Sequence, residues 1–148
     1  MFLKETGDAF FQKDIERSQE IYKKYAKLIE QKRCYENTLR LVLDTPVMQN
    51  APELLVAYGA KESAQAGIFV RHAFFYDKST GMVLDPTIPE KREPDERYII
   101  AEAFSFNEYL DAILNGGKTT DFWDNRVFRK HLQEMERWTL AQGFAIVG

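Results

Sequence analysis

One stretch, residues 67–76, limits the possible folds of this chain more than any other. It reads Gly-Ile-Phe-Val-Arg-His-Ala-Phe-Phe-Tyr, and its β-branched and aromatic residues are typical of a buried central strand. Residues 77–81 are Asp-Lys-Ser-Thr-Gly, and Asp, Ser and Gly favour the backbone conformations of turns. Residues 82–84 then predict a return strand that stops before Pro86. We therefore expect a β-hairpin in this part of the chain.

The sequence on either side of the hairpin favours helices. Side chains spaced three and four apart form an apolar stripe through residues 8–32, which predicts one long helix with Asp8 as its N-cap. Residues 34–43 predict a second helix, and the stripe pattern alone leaves open whether the chain breaks before Cys34.

The remaining patterns complete an α+β order. They predict strands at 53–60 and 97–104, a surface loop over 88–95, helices over 105–114 and from Thr120 or Asp121 to Gly143, and a short apolar tail at 144–147. Helices, then antiparallel strands, then helices predict an α+β fold, with N-terminal helices packed on a small antiparallel sheet together with C-terminal helices. The 148 residues suit a single domain over 1–148.

Composition excludes several classes of protein. The net charge of -3 argues against a nucleic-acid-binding protein, which needs a basic face to neutralise phosphates. No apolar run reaches the roughly 20 residues that a membrane-spanning helix needs. The single cysteine makes no internal disulfide, which fits a reducing compartment. We expect a cytoplasmic protein that binds neither nucleic acid nor a membrane.

Cys34, His72 and Asp85 are the residue types of an activated cysteine nucleophile. A thiol needs a base to become a thiolate near neutral pH, and the base needs a partner that holds its ring. If the predicted hairpin pairs about its turn, His72 lies opposite Asp85 or within two positions of it. Cys34 precedes a strongly helical stretch, where the positive end of the helix dipole favours a thiolate, and Arg33 adds a neighbouring positive charge.

The order of these motifs resembles the papain-like and transglutaminase-like cysteine hydrolases. The motifs are Cys-Tyr-Glu-Asn from Cys34, Val-Ala-Tyr-Gly at a strand end, His-Ala-Phe from His72, and Leu-Asp-Pro-Thr around Asp85. They are similar to those of a group of bacterial and phage proteins with Cys-Tyr-x-Asn, His-Ala-Trp and Asp-Pro-Thr, over about residues 32–88. Phe74 replaces the usual Trp and Ala60 replaces a frequent Tyr, and neither change removes a proposed catalytic atom.

The resemblance implies a papain/transglutaminase-like fold, with Cys34 as nucleophile, His72 as base and Asp85 as the acid that orients the base. The expected substrate is a protein or peptide, attacked at a peptide bond or a glutamine side chain, and the expected outcome is hydrolysis or acyl transfer without a cofactor or metal. Backbone N–H groups at the helix start are expected to hold the oxyanion. The alternative is a catalytically silent interaction or inhibitor protein on the same fold.

Three further residues receive predictions. Tyr35 and Asn37 are predicted to orient the substrate, although Tyr35 equally fits core packing and Asn37 equally fits a polar anchor bonded to a loop. His131 lies in the charged segment Arg-Lys-His and is predicted to be solvated. A zinc site at the three triad residues is less favoured, because structural zinc sites usually have more cysteine ligands.

Overall fold

Helices flank a curved and mainly antiparallel sheet in this protein. The structure, a computed structural model, describes residues 10–63, 67–86, 96–115 and 126–147. The elements in chain order are β1 (Phe11–Gln12), α1 (Ile15–Tyr25), α2 (Cys34–Asp44), β2 (Leu54–Glu62), β3 (Ile68–Asp77), β4 (Met82–Leu84), β5 (Arg97–Phe104), α3 (Phe106–Asn115), α4 (Arg126–Ala141) and β6 (Ala145–Val147). This order is that of an α+β protein, as the sequence predicts.

The strands of the described residues form one six-stranded sheet in the order β1-β5-β2-β3-β4, with β6 beside β3. Neighbours along the order are antiparallel, whereas β6 runs parallel to β3. The sheet curls until its ends meet: Lys13 bridges Val83, and the Asp14 N–H donates to the Val83 carbonyl at 2.8 Å. The curled sheet therefore has an inner and an outer face.

Different side chains fill the two faces. The inner face is small and aromatic, with Phe74 and Tyr98 packed beside Val83 and Ile100. The outer face carries the larger core, which α2, α3 and α4 cover with apolar side chains; they are Leu41, Val42, Tyr109, Ala112, Leu132 and Met135. Because side chains alternate along a strand, His72 points to the inner face with Phe74.

The structure confirms the predicted hairpin. Phe75 lies opposite Leu84, and Asp77 lies opposite Met82. The Asp77 carboxylate closes the turn, because it accepts from the N–H and the hydroxyl of Ser79 at 2.8 and 2.6 Å.

The predicted helix over residues 8–32 is wrong in its extent at the N-terminal end. Phe11 lies in a strand opposite Tyr98, and the helix begins only after Asp14, whose carboxylate accepts from the Arg17 N–H at 3.1 Å. The apolar stripe failed to show this because Phe11 pairs with a strand far away in sequence and is half-buried there. Asp8, the predicted cap, lies outside the described residues.

The same helix also ends earlier than predicted. After Tyr25 the chain makes a short 3-10 turn (Ala26–Leu28) and continues extended at Ile29. Lys32 has a φ of 63°, a left-handed conformation that no helix continues through. The chain therefore breaks before Cys34, which settles the question that the stripe pattern left open.

Several predictions fall outside the described residues, among them the loop over 88–95 and the start of the last helix. Within the described ranges that helix begins at Arg126, and Trp138 packs against the outer-face core. None of the helices in those ranges combines the length and apolarity needed to cross a membrane.

Candidate active site

Cys34 is the first residue of α2, and its side chain is half-buried. The first N–H groups of a helix have no partner inside the helix, so they concentrate partial positive charge at this residue. Arg33 contributes little to that charge, because its guanidinium pairs with Glu30 at 3.2 Å and Glu36 at 3.0 Å on the surface.

Asn37 fixes the loop that leads into this helix start. Its amide oxygen accepts from the Glu30 N–H at 2.9 Å, and its amide nitrogen donates to the Glu30 carbonyl at 2.6 Å. The side chain is fully buried. Of the two predicted roles of Asn37, these bonds support that of a polar anchor bonded to a loop.

We expect Asn37→Ala to lower the free energy of unfolding by about 1–2 kcal/mol, since two hydrogen bonds are lost and water partly replaces them at the exposed Glu30. Urea unfolding measures this loss. The matched control is the exposed neighbour Glu36→Ala, for which we expect a change within about 0.5 kcal/mol. Equal losses in the two variants would contradict the anchoring role.

His72 and Asp85 form a buried pair at the end of the hairpin. The His72 Nε2 atom lies 2.8 Å from the Asp85 Oδ2 atom, and the Asp85 residue is 0% exposed. The register pairs Phe75 with Leu84, so Asp85 follows directly beyond β4 on the inner-face side. A carboxylate so fully removed from water is stable only beside a donor or a positive charge.

The Cys34 side chain lies close enough to His72 to affect the pKa of the imidazole. Because His72 uses Nε2 for Asp85, its Nδ1 is the ring nitrogen that remains for the thiol. Burial lowers the pKa of His72, but the charge and hydrogen bond of Asp85, with smaller effects of Cys34, outweigh burial and raise that pKa to about 9. The imidazole therefore holds a proton at neutral pH, as a base that has taken the thiol proton does.

Two residues that sequence reasoning missed hold Asp85. The Tyr98 hydroxyl donates to Asp85 Oδ2 at 2.7 Å, and the Ser18 hydroxyl accepts from the Asp85 N–H at 3.0 Å. Ser18 interrupts the apolar stripe of α1 on its buried side, and this was a usable signal. Nothing local marks Tyr98, which lies in an ordinary strand pattern.

Tyrosines surround the thiol on the outer-face side. The Tyr35 ring stacks on Tyr58 with ring centroids 5.5 Å apart, and the Tyr109 ring lies 6.5 Å from that of Tyr58. Burial, with smaller effects of Tyr109, Tyr35 and Cys34, raises the pKa of Tyr58 well above its usual value. Tyr58 is therefore neutral at physiological pH, and Tyr35 contributes packing beside the thiol.

His131 is not the solvated residue that the sequence predicts. Its Nδ1 atom contacts the Glu102 carboxylate, and its side chain is 32% exposed. The pair joins α4 to β5 and lies outside the Cys34 chain of contacts. Within the part of the chain that the structure describes, no three His, Cys, Asp or Glu side chains are placed to hold a metal ion.

Known proteins give no further guide to the family of this chain. No protein-family model, no curated protein and no solved structure matches it.

Proposed function

We propose that this protein is a papain-like or transglutaminase-like cysteine hydrolase or acyltransferase that acts on an amide bond of a protein or peptide. One observation carries the proposal: His72 hydrogen-bonds with the buried Asp85 at 2.8 Å and interacts with Cys34, although the three residues come from a helix, a strand and the residue after another strand. A thiol, a base and an orienting carboxylate in this sequence of contacts are the parts of an activated nucleophile. The single cysteine agrees with a cytoplasmic location, which is part of the proposal.

In the proposed reaction His72 takes the proton of the Cys34 thiol, and the resulting thiolate attacks the carbonyl carbon of the amide. The carbon–nitrogen bond breaks, the imidazolium returns its proton to the leaving amine, and an acyl group stays on the sulfur. Water then releases a carboxylic acid, or a second amine accepts the acyl group.

The helix start supplies the proposed stabilisation of the oxyanion. The negative oxygen of the tetrahedral intermediate forms next to the sulfur, and the N–H groups of the first turn of α2 point along the helix axis toward that side. The Asn37 clamp on Glu30 keeps the preceding loop, and hence this helix start, in one position.

Thiol alkylation tests the proposal without a known substrate. We expect iodoacetamide at pH 6 to modify Cys34 at least about tenfold faster than it modifies an unperturbed peptide thiol, because the neighbouring imidazolium favours the reactive thiolate. His72→Ala is expected to remove most of this excess rate, and the control His131→Ala is expected to keep it. Mass spectrometry follows the reaction, and the single cysteine leaves one thiol to modify.

A second measurement tests acyl transfer itself. Incubation with p-nitrophenyl acetate is expected to place an acetyl group on Cys34 and to release p-nitrophenolate, and Cys34→Ser is expected to slow this release strongly. An alkylation rate that rises only at alkaline pH and is unchanged in His72→Ala would contradict the proposal that this protein is an enzyme. That result would instead support the catalytically silent interaction protein.

A further inference from the structure

A single carboxylate oxygen serves two donors in the inner face of the sheet. Asp85 Oδ2 accepts from His72 Nε2 at 2.8 Å and from the Tyr98 hydroxyl at 2.7 Å. Asp85 and Tyr98 are both 0% exposed, so water does not compete for this oxygen. The two donors therefore share the negative charge that the same atom carries.

We propose that Tyr98 is a positioning residue of the triad that acts through Asp85: its phenol takes up part of the charge on Oδ2 and so limits how strongly the carboxylate holds the proton of His72. The inference rests on the proposed function. A base must release its proton to the leaving amine, and a carboxylate that binds the imidazolium too strongly prevents that release. An O–H group on the shared oxygen weakens its attraction for the imidazolium.

The packing keeps this arrangement rigid. Phe74 lies between the two donors: its ring centroid is 5.8 Å from that of His72 and 5.0 Å from that of Tyr98. Ser18 holds the backbone of Asp85 through the N–H at 3.0 Å. The phenol and the imidazole thus approach Oδ2 from fixed directions. Both therefore donate to this oxygen at the same time in the folded protein.

Other titratable groups interact with His72 or lie beside Tyr98. Cys34 reaches His72 from α2. Lys61 on β2 lies opposite Tyr98 and pairs with Glu96, and Lys13 pairs with Glu96 at 3.3 Å. These charges are the same when only the Tyr98 hydroxyl is removed. A change in the pKa of His72 in that variant is therefore due to the loss of the hydroxyl.

NMR titration of His72 tests the inference. The chain has two histidines, so the ring signals are assigned with one His131→Gln spectrum. In a Cys34→Ala background, we expect Tyr98→Phe to raise the pKa of His72, because Oδ2 regains its full charge. The control is Tyr22→Phe, which removes the hydroxyl group of a half-buried tyrosine on α1. We expect this variant to leave the pKa of His72 unchanged.

An isosteric variant guards against a folding defect in Tyr98→Phe. Tyr98→3-fluorotyrosine keeps the ring and makes the phenol a stronger donor, so we expect the pKa of His72 to shift downward. Shifts in opposite directions in the two variants support the inference. An unchanged or lower pKa in folded Tyr98→Phe overturns it, as does an unchanged or higher pKa in the fluorinated protein.

The same titration separates this inference from the proposed function. Replacing Cys34 by Ala in the otherwise unaltered protein is expected to lower the pKa of His72, because the thiol side chain raises it. An unchanged pKa in Cys34→Ala would count against the thiol–imidazole couple and the proposed chemistry. A fall in Cys34→Ala without a rise in the Tyr98→Phe double variant would count against the role of Tyr98 alone.

Discussion

Gly59→Ala is expected to destabilise the protein by about 3 kcal/mol, at the upper end of the range for an added group in a packed interior. A Cβ atom at this position would lie 1.8 Å from the carbonyl oxygen of Ile99 and 2.8 Å from its carbonyl carbon. Both are backbone atoms of the neighbouring strand, so a side-chain rotation does not relieve the overlap. Gly59 also lies opposite His72, and the displaced strand would carry Tyr98 with it.

The matched control for this variant is Gly81→Ala. No atom lies within 4 Å of the Cβ position at Gly81, but its φ is +71°, so we expect a loss of about 1 kcal/mol from backbone strain alone. Urea unfolding at neutral pH measures both losses, with the Cys34 alkylation rate as a second reading. Similar losses in the two variants would show that β5 has room to move away from Gly59.

The stability of the protein is expected to decrease in alkaline solution because of His72. The pKa of this residue is about 9 in the folded chain against 6.5 for the free side chain. A group whose pKa is raised by folding stabilises the folded protein. This stabilisation is complete when the pH lies below the pKa of the group in the unfolded chain, and it disappears as the pH rises through the pKa in the folded chain. The difference between the two pKa values of His72 corresponds to about 3 kcal/mol of stabilisation. This stabilisation is present below pH 6.5 and lost as the pH rises through about 9.

Denaturant unfolding between pH 6 and pH 10 measures this loss. In His72→Gln we expect the decline over that interval to be much smaller, because the titrating imidazole is absent. His131→Gln is the control, and we expect it to keep the decline of the unaltered protein. A decline of the same size in His72→Gln would assign the effect to other groups.

Local sequence signals predicted the middle of the fold well. The Asp77 turn and the strands beside it depend on residues within a few positions of each other. The same holds for the start of α3, where Ser105 and Glu108 bond reciprocally at 2.8 and 3.3 Å. In such segments the backbone partners are already set by the nearby sequence.

Contacts between distant segments account for what the sequence did not predict. The stripe through residues 8–32 suits a helix throughout, whereas in the structure Phe11 pairs with Tyr98 and Asn37 bonds to the extended backbone at Glu30. The bond from Tyr98 to Asp85 likewise joins positions that no local pattern relates. Cys34 and His72 of the proposed triad were identifiable because the chain has one cysteine and two histidines. Asp85 was identifiable from its place near His72 in the predicted hairpin.

The curling of the sheet has a consequence for self-association. An open strand edge is a template on which another chain adds a strand, and long flat edges of this kind lead to aggregation. Here β1 and β4 turn toward each other, joined by the Lys13–Val83 bridge and the Asp14–Val83 hydrogen bond. Because β1 has only two residues, this seam is held by few bonds. Residues 13 and 14 nevertheless occupy the edge of β4 at Val83, where a strand of another molecule would otherwise add.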